Sequence, residues 1–177
     1  MSIVSARTIV CGLVFSLLLA TTAAAQTMDE AAYFQDSIAE KGDQNFIIRL
    51  AGGSSWVLST RTSALVTSDV MVVMRDVLVD GKVVPAAWMY IGGEEIPAVH
   101  VEGLYPRNPA FLTRVVGSEG RGTTLRLADG KQVTVPQYDR FYVSRWNPPY
   151  KALLTKDGAS LFNLKDGGRR VSLEPSK

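Results

Sequence analysis

Apolar and polar residues alternate with a period of two along most of the chain after Phe46. Short runs of this kind, bounded by Gly, Pro, Asp or Ser, are typical of β-strands, and they are rich in the residues that strands prefer. The run VMVVM at 70–74 is apolar on both faces, which predicts a central strand. The whole pattern predicts a mostly β fold, namely a small barrel or sandwich of short antiparallel strands. Two small barrels in tandem are an alternative arrangement of the same strands.

The segment over 26–45 shows a helical spacing instead. Thr27 and Glu30 have the spacing of a capping box, in which each side chain satisfies a free backbone N–H at the start of a helix. The apolar residues that would share one face of this helix are Ala31, Phe34 and Ile38. We therefore expect one N-terminal helix and connector, followed by a β domain over 46–177.

Two stretches echo each other: RLAGGSSWVL at 49–58 and RLADGKQVTV at 126–135. In the second stretch, a three-residue loop with Gly130 in the left-handed conformation pairs Leu125 with Val133, so that apolar residues face one another. A tight two-residue turn would instead place polar against apolar residues. The echo therefore predicts a shared hairpin type.

In the first stretch the same parity lets Leu50 face Trp56. Duplication of two barrel modules is the alternative explanation of the echo, with a sub-boundary in the Gly-rich segment near 117–122. The meander of Gly-rich hairpins resembles SH3-like modules of bacterial envelope proteins. This resemblance concerns the fold alone.

The N-terminus predicts export. Residues 1–25 contain Arg7, then the apolar run IVCGLVFSLLLA, then the small residues Ala23 and Ala25. This is the arrangement of a secretory signal peptide, and the run is shorter than the roughly 20 residues that cross a bilayer as a helix. We expect cleavage before Gln26 and a periplasmic or secreted protein that does not span the membrane. An uncleaved anchor is the alternative.

Cysteine and histidine usage excludes several chemistries. The only cysteine, Cys11, lies within the signal peptide, so the mature chain has no Cys nucleophile, thiolate metal site or disulfide. The only histidine is His100, and one histidine without cysteine cannot make a usual zinc site. We therefore expect no metal and no cofactor.

Two pairs of ionisable residues are the candidates for catalysis: one combines a histidine with an acid, and the other consists of two acids. In AVHVE, His100 and Glu102 point to the same face of a strand and could form an acid/base pair. The alternative is a partly exposed strand histidine without a chemical role. Glu94 and Glu95 suggest glycoside hydrolysis, but neighbours on a strand point to opposite faces. The sequence favours a non-catalytic protein.

Charge is unevenly distributed along the chain. Residues 26–110 carry 6 Lys/Arg and 11 Asp/Glu, a net charge of −5, whereas residues 111–177 carry 12 and 6, a net charge of +6. This asymmetry indicates either a half that faces a polyanion or two halves that attract each other. An exported protein with a nearly neutral total is a poor partner for nucleic acid.

Aromatic and cationic residues are concentrated in QYDRFYVSRWNPPYK at 137–151. As a strand, this segment would place Arg140, Tyr142 and Trp146 on one face. Exposed aromatic rings beside guanidinium groups stack on sugars and hold anionic groups. The predicted ligand-binding residues are Arg140, Tyr142, Arg145, Trp146 and Tyr150. The alternative places most of the aromatic side chains in the core, closing one end of a barrel.

These observations favour an exported, non-catalytic β-domain protein that binds or scaffolds a component of the cell envelope. The expected partner is an anionic envelope glycan or an envelope protein. One alternative is an envelope hydrolase that uses carboxylates with His100. Another is a periplasmic inhibitor or chaperone-like module that presents the loop LYPRNP at 104–109 to a protein.

Overall fold

The computed structural model describes residues 28–175. It is mostly β, and it contains a closed six-strand antiparallel barrel plus six further strands. We call these six strands the second sheet, although one of them is hydrogen-bonded to a strand of the barrel. The predicted barrel of short antiparallel strands is confirmed. Within residues 28–175, no helix combines the length and the apolar character needed to cross a membrane.

The barrel is formed by the first half of the chain. Its strands are β1 (Asp29–Lys41), β2 (Ile47–Leu50), β3 (Ser55–Leu58), β4 (Asp69–Val79), β5 (Lys82–Ile91) and β6 (Glu94–Glu102). They are hydrogen-bonded in the order β1-β2-β3-β6-β5-β4, and β4 pairs with β1 to close the ring. Closure removes the unpaired edges of a sheet.

The second sheet is formed by the remaining strands. Its elements are β7 (Asn108–Glu119), β8 (Thr124–Leu127), β9 (Gln132–Thr134), the one-turn helix α1 (Arg140–Val143), β10 (Tyr150–Thr155), β11 (Ser160–Asn163) and β12 (Arg169–Ser172). The order is β9-β8-β7-β10-β11-β12. The backbone N–H of Glu174 donates to the carbonyl of Thr134 at 2.9 Å, so the two ends of this sheet also meet.

The prediction of an N-terminal helix is wrong. Thr27 lies outside the described residues, and the segment that follows is strand β1. The side chains of Phe34 and Ile38 pack inside the barrel, whereas Tyr33 packs outside it against the second sheet. β1 pairs with β2, β4 and β7, and these tertiary hydrogen bonds override a local helical preference, which is worth only a few tenths of a kcal/mol per residue.

Three apolar clusters stabilise the molecule. One fills the barrel around Trp56, and one lies within the second sheet around Val143 and Leu161. The third lies between the barrel and the second sheet, which we call the two units, and it includes Met71 and Phe162. The fully apolar run of β4 explains this arrangement, because its alternate residues face the barrel interior and the inter-unit cluster. The prediction that this strand is central is confirmed.

The two units repeat one strand arrangement. In the barrel a long strand with a bulge pairs with a short one: Ile38 lies opposite Leu50, and Glu40 lies opposite Arg49. β7 and β8 show the same bulge. Their equivalent partners are Val115 with Leu127 and Gly117 with Arg126. The order of the remaining strands is also the same in both units.

The two echoing stretches form the same three-residue hairpin loop. The predicted pairing of Leu125 with Val133 is confirmed, and Gly130 has a φ of +89°. The equivalent pair in the barrel is Ile48 with Trp56, so the prediction that Leu50 faces Trp56 was wrong by two residues. The predicted face was right, because Ile48, Leu50 and Trp56 are all buried in the barrel interior.

The units are joined by the pairing of β1 with β7 and by the third apolar cluster, and also by a short connection and an ion pair. Residues 103–107 lead from β6 to β7, whereas residues 117–122 form the end of β7 and the turn to β8 inside the second sheet. Lys151 Nζ lies 2.8 Å from Glu95 Oε1, which links β10 to the barrel. Glu95 is therefore engaged at the junction between the units.

Candidate functional site

The segment over 137–151 contains a helical turn, and the prediction of a strand there is wrong. In α1 the backbone N–H groups of Tyr142 and Val143 both donate to the carbonyl of Asp139, at 3.1 and 3.3 Å. The carboxylate of Asp139 accepts from the backbone N–H of Ser172 at 2.7 Å, which ties the turn to β12. Helical spacing buries both Val143 and Trp146 in the second core, which an extended strand could not do.

The turn also places residues around a cavity of about 450 Å³, which we call the Tyr150 cleft. Four of the five predicted binding residues line it, because Tyr142 and Arg145 lie three residues apart on the turn and Trp146 and Tyr150 follow. The full lining is Tyr142, Arg145, Trp146, Asn147, Tyr150, Asn163, Lys165, Asp166 and Arg169.

Arg140 does not belong to this cleft. Its Nε donates to the backbone carbonyl of Val135 at 3.0 Å, and its side chain is partly buried. The prediction placed Arg140 beside Tyr142 by assuming strand alternation. On a helical turn, residues two apart point in different directions, so Arg140 supports the chain that leads into α1.

Two buried aromatic side chains form the floor of the cleft. The rings of Trp146 and Tyr150 lie 5.7 Å apart at 73° to each other, and the residues are only 7% and 4% exposed. The indole N–H of Trp146 donates to Asp166 Oδ2 at 3.1 Å. The Tyr150 hydroxyl is buried and has no hydrogen-bond partner among the described residues.

Burial also changes the ionisation of Tyr150. Loss of solvent around the phenol raises the pKa of Tyr150 well above its ordinary value. The hydroxyl is protonated at physiological pH, as that of an ordinary tyrosine is, and it is a potential hydrogen-bond donor without a partner among the described residues. A buried polar group without a partner is unfavourable by about 1–3 kcal/mol, so a ligand oxygen at this position would be stabilised.

Exposed aromatic and cationic side chains form the rim. The guanidinium carbon of Arg145 lies 4.0 Å from the centre of the Phe141 ring, and that of Arg169 lies 4.7 Å from the centre of the Tyr142 ring. Stacking on a ring orients a guanidinium group and leaves its N–H donors directed sideways. Phe141 and Tyr142 are 60% and 41% exposed.

The cleft is cationic in balance. Arg145, Lys165 and Arg169 line it together with one acid, Asp166. Asp166 Oδ2 accepts from Trp146 and lies 3.4 Å from Arg169 Nε, so its charge is already engaged. The net positive charge suits an anionic ligand group.

Three of these charged residues were not identified from the sequence. Lys165, Asp166 and Arg169 come from the segment KDGGRR, which follows β11. Pairing of β10, β11 and β12 brings this segment beside α1. The local signal was the density of charge around two glycines, but only the strand order shows what that charge faces.

His100 and Glu102 lie two residues apart on β6, and their side chains have different partners. The imidazole of His100 lies edge-on between the rings of Trp56 and Tyr105, at 4.7 and 4.8 Å. Glu102 Oε1 accepts from the hydroxyl of Ser55 at 3.0 Å. No hydrogen bond joins His100 to Glu102 in the described part of the chain.

The surroundings of His100 are apolar. It lines a cavity of about 540 Å³ at the mouth of the barrel, together with Met74, Ala98 and Tyr105, and its Nε2 is buried without a partner among residues 28–175. Over the same residues, no three His, Cys, Asp or Glu side chains are grouped as a metal ion would require. Among residues 28–175 the structure records no hydrogen bond between His100 and a carboxylate, and the pairing of His100 with Glu102 as an acid/base pair stays a prediction.

Comparison with known proteins gives no match: no family model, no curated protein and no solved structure is significantly similar to this chain. Its function is therefore inferred from the geometry of the Tyr150 cleft.

Proposed function

We propose that the protein is an exported, non-catalytic β-barrel protein of the cell envelope, and that it binds an anionic glycan in the Tyr150 cleft. The observation that carries the proposal is a cavity with a cationic and aromatic lining, which includes Tyr150, a residue whose buried hydroxyl has no partner among the described residues. Export rests on the signal peptide predicted from the sequence.

The rim supports a sugar as the ligand. Sugars present both flat apolar faces and hydroxyl groups, and amphipathic aromatic rings with polar neighbours match these two properties. Tyr142 offers an exposed ring, and Tyr150, which also lines the cavity, carries a hydroxyl without a partner among the described residues. A volume of about 450 Å³ lies in the ordinary range of small-ligand sites.

The charge supports an acidic sugar. The guanidinium groups of Arg145 and Arg169 are held by aromatic rings, and a guanidinium fork matches the two oxygens of a carboxylate or phosphate. The net charge of +6 over residues 111–177 favours the approach of an anion at low ionic strength.

The same lining supports binding without hydrolysis. Glycosidases generally use two carboxyl groups about 5–10 Å apart on either side of the scissile bond. Among the described residues the cleft has one acid, Asp166, which is engaged by Trp146 and Arg169. This arrangement favours a binding module over an envelope hydrolase.

The test uses retention on immobilised polygalacturonate, measured over a range of salt concentrations. Tyr150→Phe removes one hydroxyl, so we expect retention to fall by about fivefold, which corresponds to the roughly 1 kcal/mol of one neutral hydrogen bond, with little change in its salt dependence. Arg145→Gln removes one charge, so retention and its dependence on salt should both fall.

The controls are matched to each change. Tyr138→Phe removes the hydroxyl of a residue that is 69% exposed and lies outside the cleft, and Lys156→Gln removes a charge elsewhere on the second sheet. Both should retain polygalacturonate as well as the parent. If the two cleft variants fold and also bind like the parent, the site is not the Tyr150 cleft.

A protein partner is a second candidate, favoured by the exposed apolar surface beside residues 103–107. Val99, Val101 and Leu104 are 67%, 58% and 59% exposed, and Tyr105 is 43% exposed over His100. Exposed apolar patches of this kind mark interaction sites. Leu104→Asp would weaken capture of an envelope protein and leave glycan retention unchanged.

A further inference from the structure

We propose that the ligand is a glycan chain of several sugars, which runs from the Tyr150 cleft into a crevice between the two units. This inference rests on the proposed function. The crevice is a cavity of about 560 Å³, and it shares Lys165, Asp166 and Arg169 with the cleft. The two cavities are therefore adjacent, and a ligand that occupies both must pass these three residues.

Both units supply the walls of the crevice. The barrel contributes Gln35 from β1, Asp69 from β4 and Gly92 from the turn between β5 and β6. The second sheet contributes Arg170 from β12, beyond the shared residues. The side chains are polar or charged, so this space suits a hydrated sugar chain better than an apolar ligand.

Arg170 gives the crevice its own cation. Its Nε donates to the hydroxyl of Ser160 at 2.9 Å, which fixes the guanidinium group. The structure records no further hydrogen bond from this guanidinium within residues 28–175, and the residue is exposed. A fixed guanidinium with remaining N–H donors is suited to a second acidic group on the same ligand.

Close backbone packing joins the two units beside the crevice. Gly93 has a φ of +87°, and a Cβ added there would lie 2.8 Å from the carbonyl oxygen of Lys165. The β5–β6 turn therefore contacts the backbone of Lys165, one of the residues that line both cavities. The ion pair between Lys151 and Glu95 joins the same two units. A groove that is already formed binds an extended chain without a large ordering penalty.

Size separates this inference from the simple cleft. Each cavity alone has the volume of an ordinary small-ligand site, so an acidic disaccharide is accommodated by the Tyr150 cleft. Only a longer chain also reaches Arg170. Affinity should therefore increase with chain length, and the increase should depend on Arg170.

The experiment is calorimetric titration of the full mature protein with galacturonate disaccharide and hexasaccharide. Because the hexasaccharide gains a second set of contacts, we expect it to bind the parent about tenfold more tightly than the disaccharide. Arg170→Gln, which keeps the aliphatic stem and loses the charge, should weaken the hexasaccharide by about threefold to fivefold. The same variant should bind the disaccharide as the parent does.

Three comparisons accompany this titration. Arg145→Gln should weaken both galacturonate ligands, and Lys156→Gln should weaken neither. Maltohexaose, which is neutral and equally long, should bind at least tenfold more weakly than the acidic hexasaccharide. Titration with a ribitol-phosphate hexamer shows whether the acidic groups are carboxylates or phosphates, since the tighter of the two acidic chains identifies them.

The outcomes separate the two proposals. If the hexasaccharide binds no more tightly than the disaccharide, or if Arg170→Gln weakens both equally, the crevice is not part of the site, while the effect of Arg145→Gln still supports the cleft. If neither acidic chain binds the parent, the proposed function is wrong, and the extension is wrong with it. Arg170→Lys provides a second variant: it keeps the charge and should retain most of the length dependence.

Discussion

The rings of Trp146 and Tyr150 lie 5.7 Å apart in the buried floor of the cleft, but only one of their polar groups is hydrogen-bonded. The Trp146 indole N–H is bonded to Asp166, whereas the Tyr150 hydroxyl has no partner among the described residues. Trp146 therefore links the floor of the cleft to Asp166 by a hydrogen bond, whereas Tyr150 has a polar group that no described residue satisfies. This difference leads to opposite expectations for two conservative substitutions.

Tyr150→Phe should leave the free energy of unfolding unchanged or raise it by about 1 kcal/mol, because it removes a buried hydroxyl that lacks a partner. Trp146→Phe should lower it by about 1–3 kcal/mol, since it removes packing and leaves Asp166 without the indole donor. Urea denaturation of the three proteins measures both changes. A loss of more than about 1 kcal/mol in Tyr150→Phe would show that the hydroxyl is satisfied in the folded protein.

Stability should fall at alkaline pH. Burial raises the pKa of both Tyr90 and Tyr150 above the ordinary 10.0, and the nearby Glu95 adds to the effect at Tyr90. The folded state therefore keeps protons that the unfolded state releases. The stability from these two groups is complete below about pH 10 and is lost as the pH rises above it.

The pH dependence can be assigned by comparing variants. In urea titrations from neutral pH to above pH 10, Tyr150→Phe should show a shallower alkaline decrease than the parent. Tyr138→Phe is the control, because Tyr138 is exposed. An equal decrease in all three proteins would mean that Tyr150 ionises as readily in the folded state as in the unfolded state.

Gly130 should be the sensitive position of the β8–β9 hairpin. Its φ is +89°, and a Cβ there would have nothing within 4 Å, so a substitution tests the backbone alone. Gly130→Val should lower the free energy of unfolding by about 1 kcal/mol or more. Lys131→Ala should have little effect although Lys131 lies 3.6 Å from Asp129, because exposed ion pairs contribute little. Thermal melts of both variants measure the difference.

The mature chain should begin at Gln26, because Ala23 and Ala25 occupy the small positions before a signal-peptidase site. Intact-mass measurement of the protein recovered from the cell envelope checks this prediction. Recovery of a chain that retains residues 1–25 would instead indicate an uncleaved anchor.

Local pattern was sufficient for some elements and insufficient for others. The pairing of Leu125 with Val133 followed from parity and from a turn that needs a left-handed glycine, both of which are local. The strand β1 could not be predicted in this way, because its conformation depends on β4 and β7, which lie far along the chain. The capping-box spacing of Thr27 and Glu30 described a helix that these distant partners prevent.

The candidate site shows the same division. The composition of the segment over 137–151 pointed to Tyr142, Arg145 and Tyr150, but the assumed strand geometry wrongly added Arg140. Arg169 reaches the cleft only because β10, β11 and β12 form a meander. Composition can therefore indicate the chemistry of a binding site, whereas the strand order decides which residues line that site.

The repeated strand arrangement has a consequence for folding. Neighbouring units of equal topology can exchange equivalent strands, and such misassembly is a characteristic failure of tandem proteins. Here the equivalent hairpins share little beyond Arg, Leu, Ala and Gly. The equivalent long strands β1 and β7 pair with each other as well as within their own units. The difference in sequence between the two units thus gives each hairpin its own side-chain partners, and it disfavours swapping of strands between the two halves of the chain.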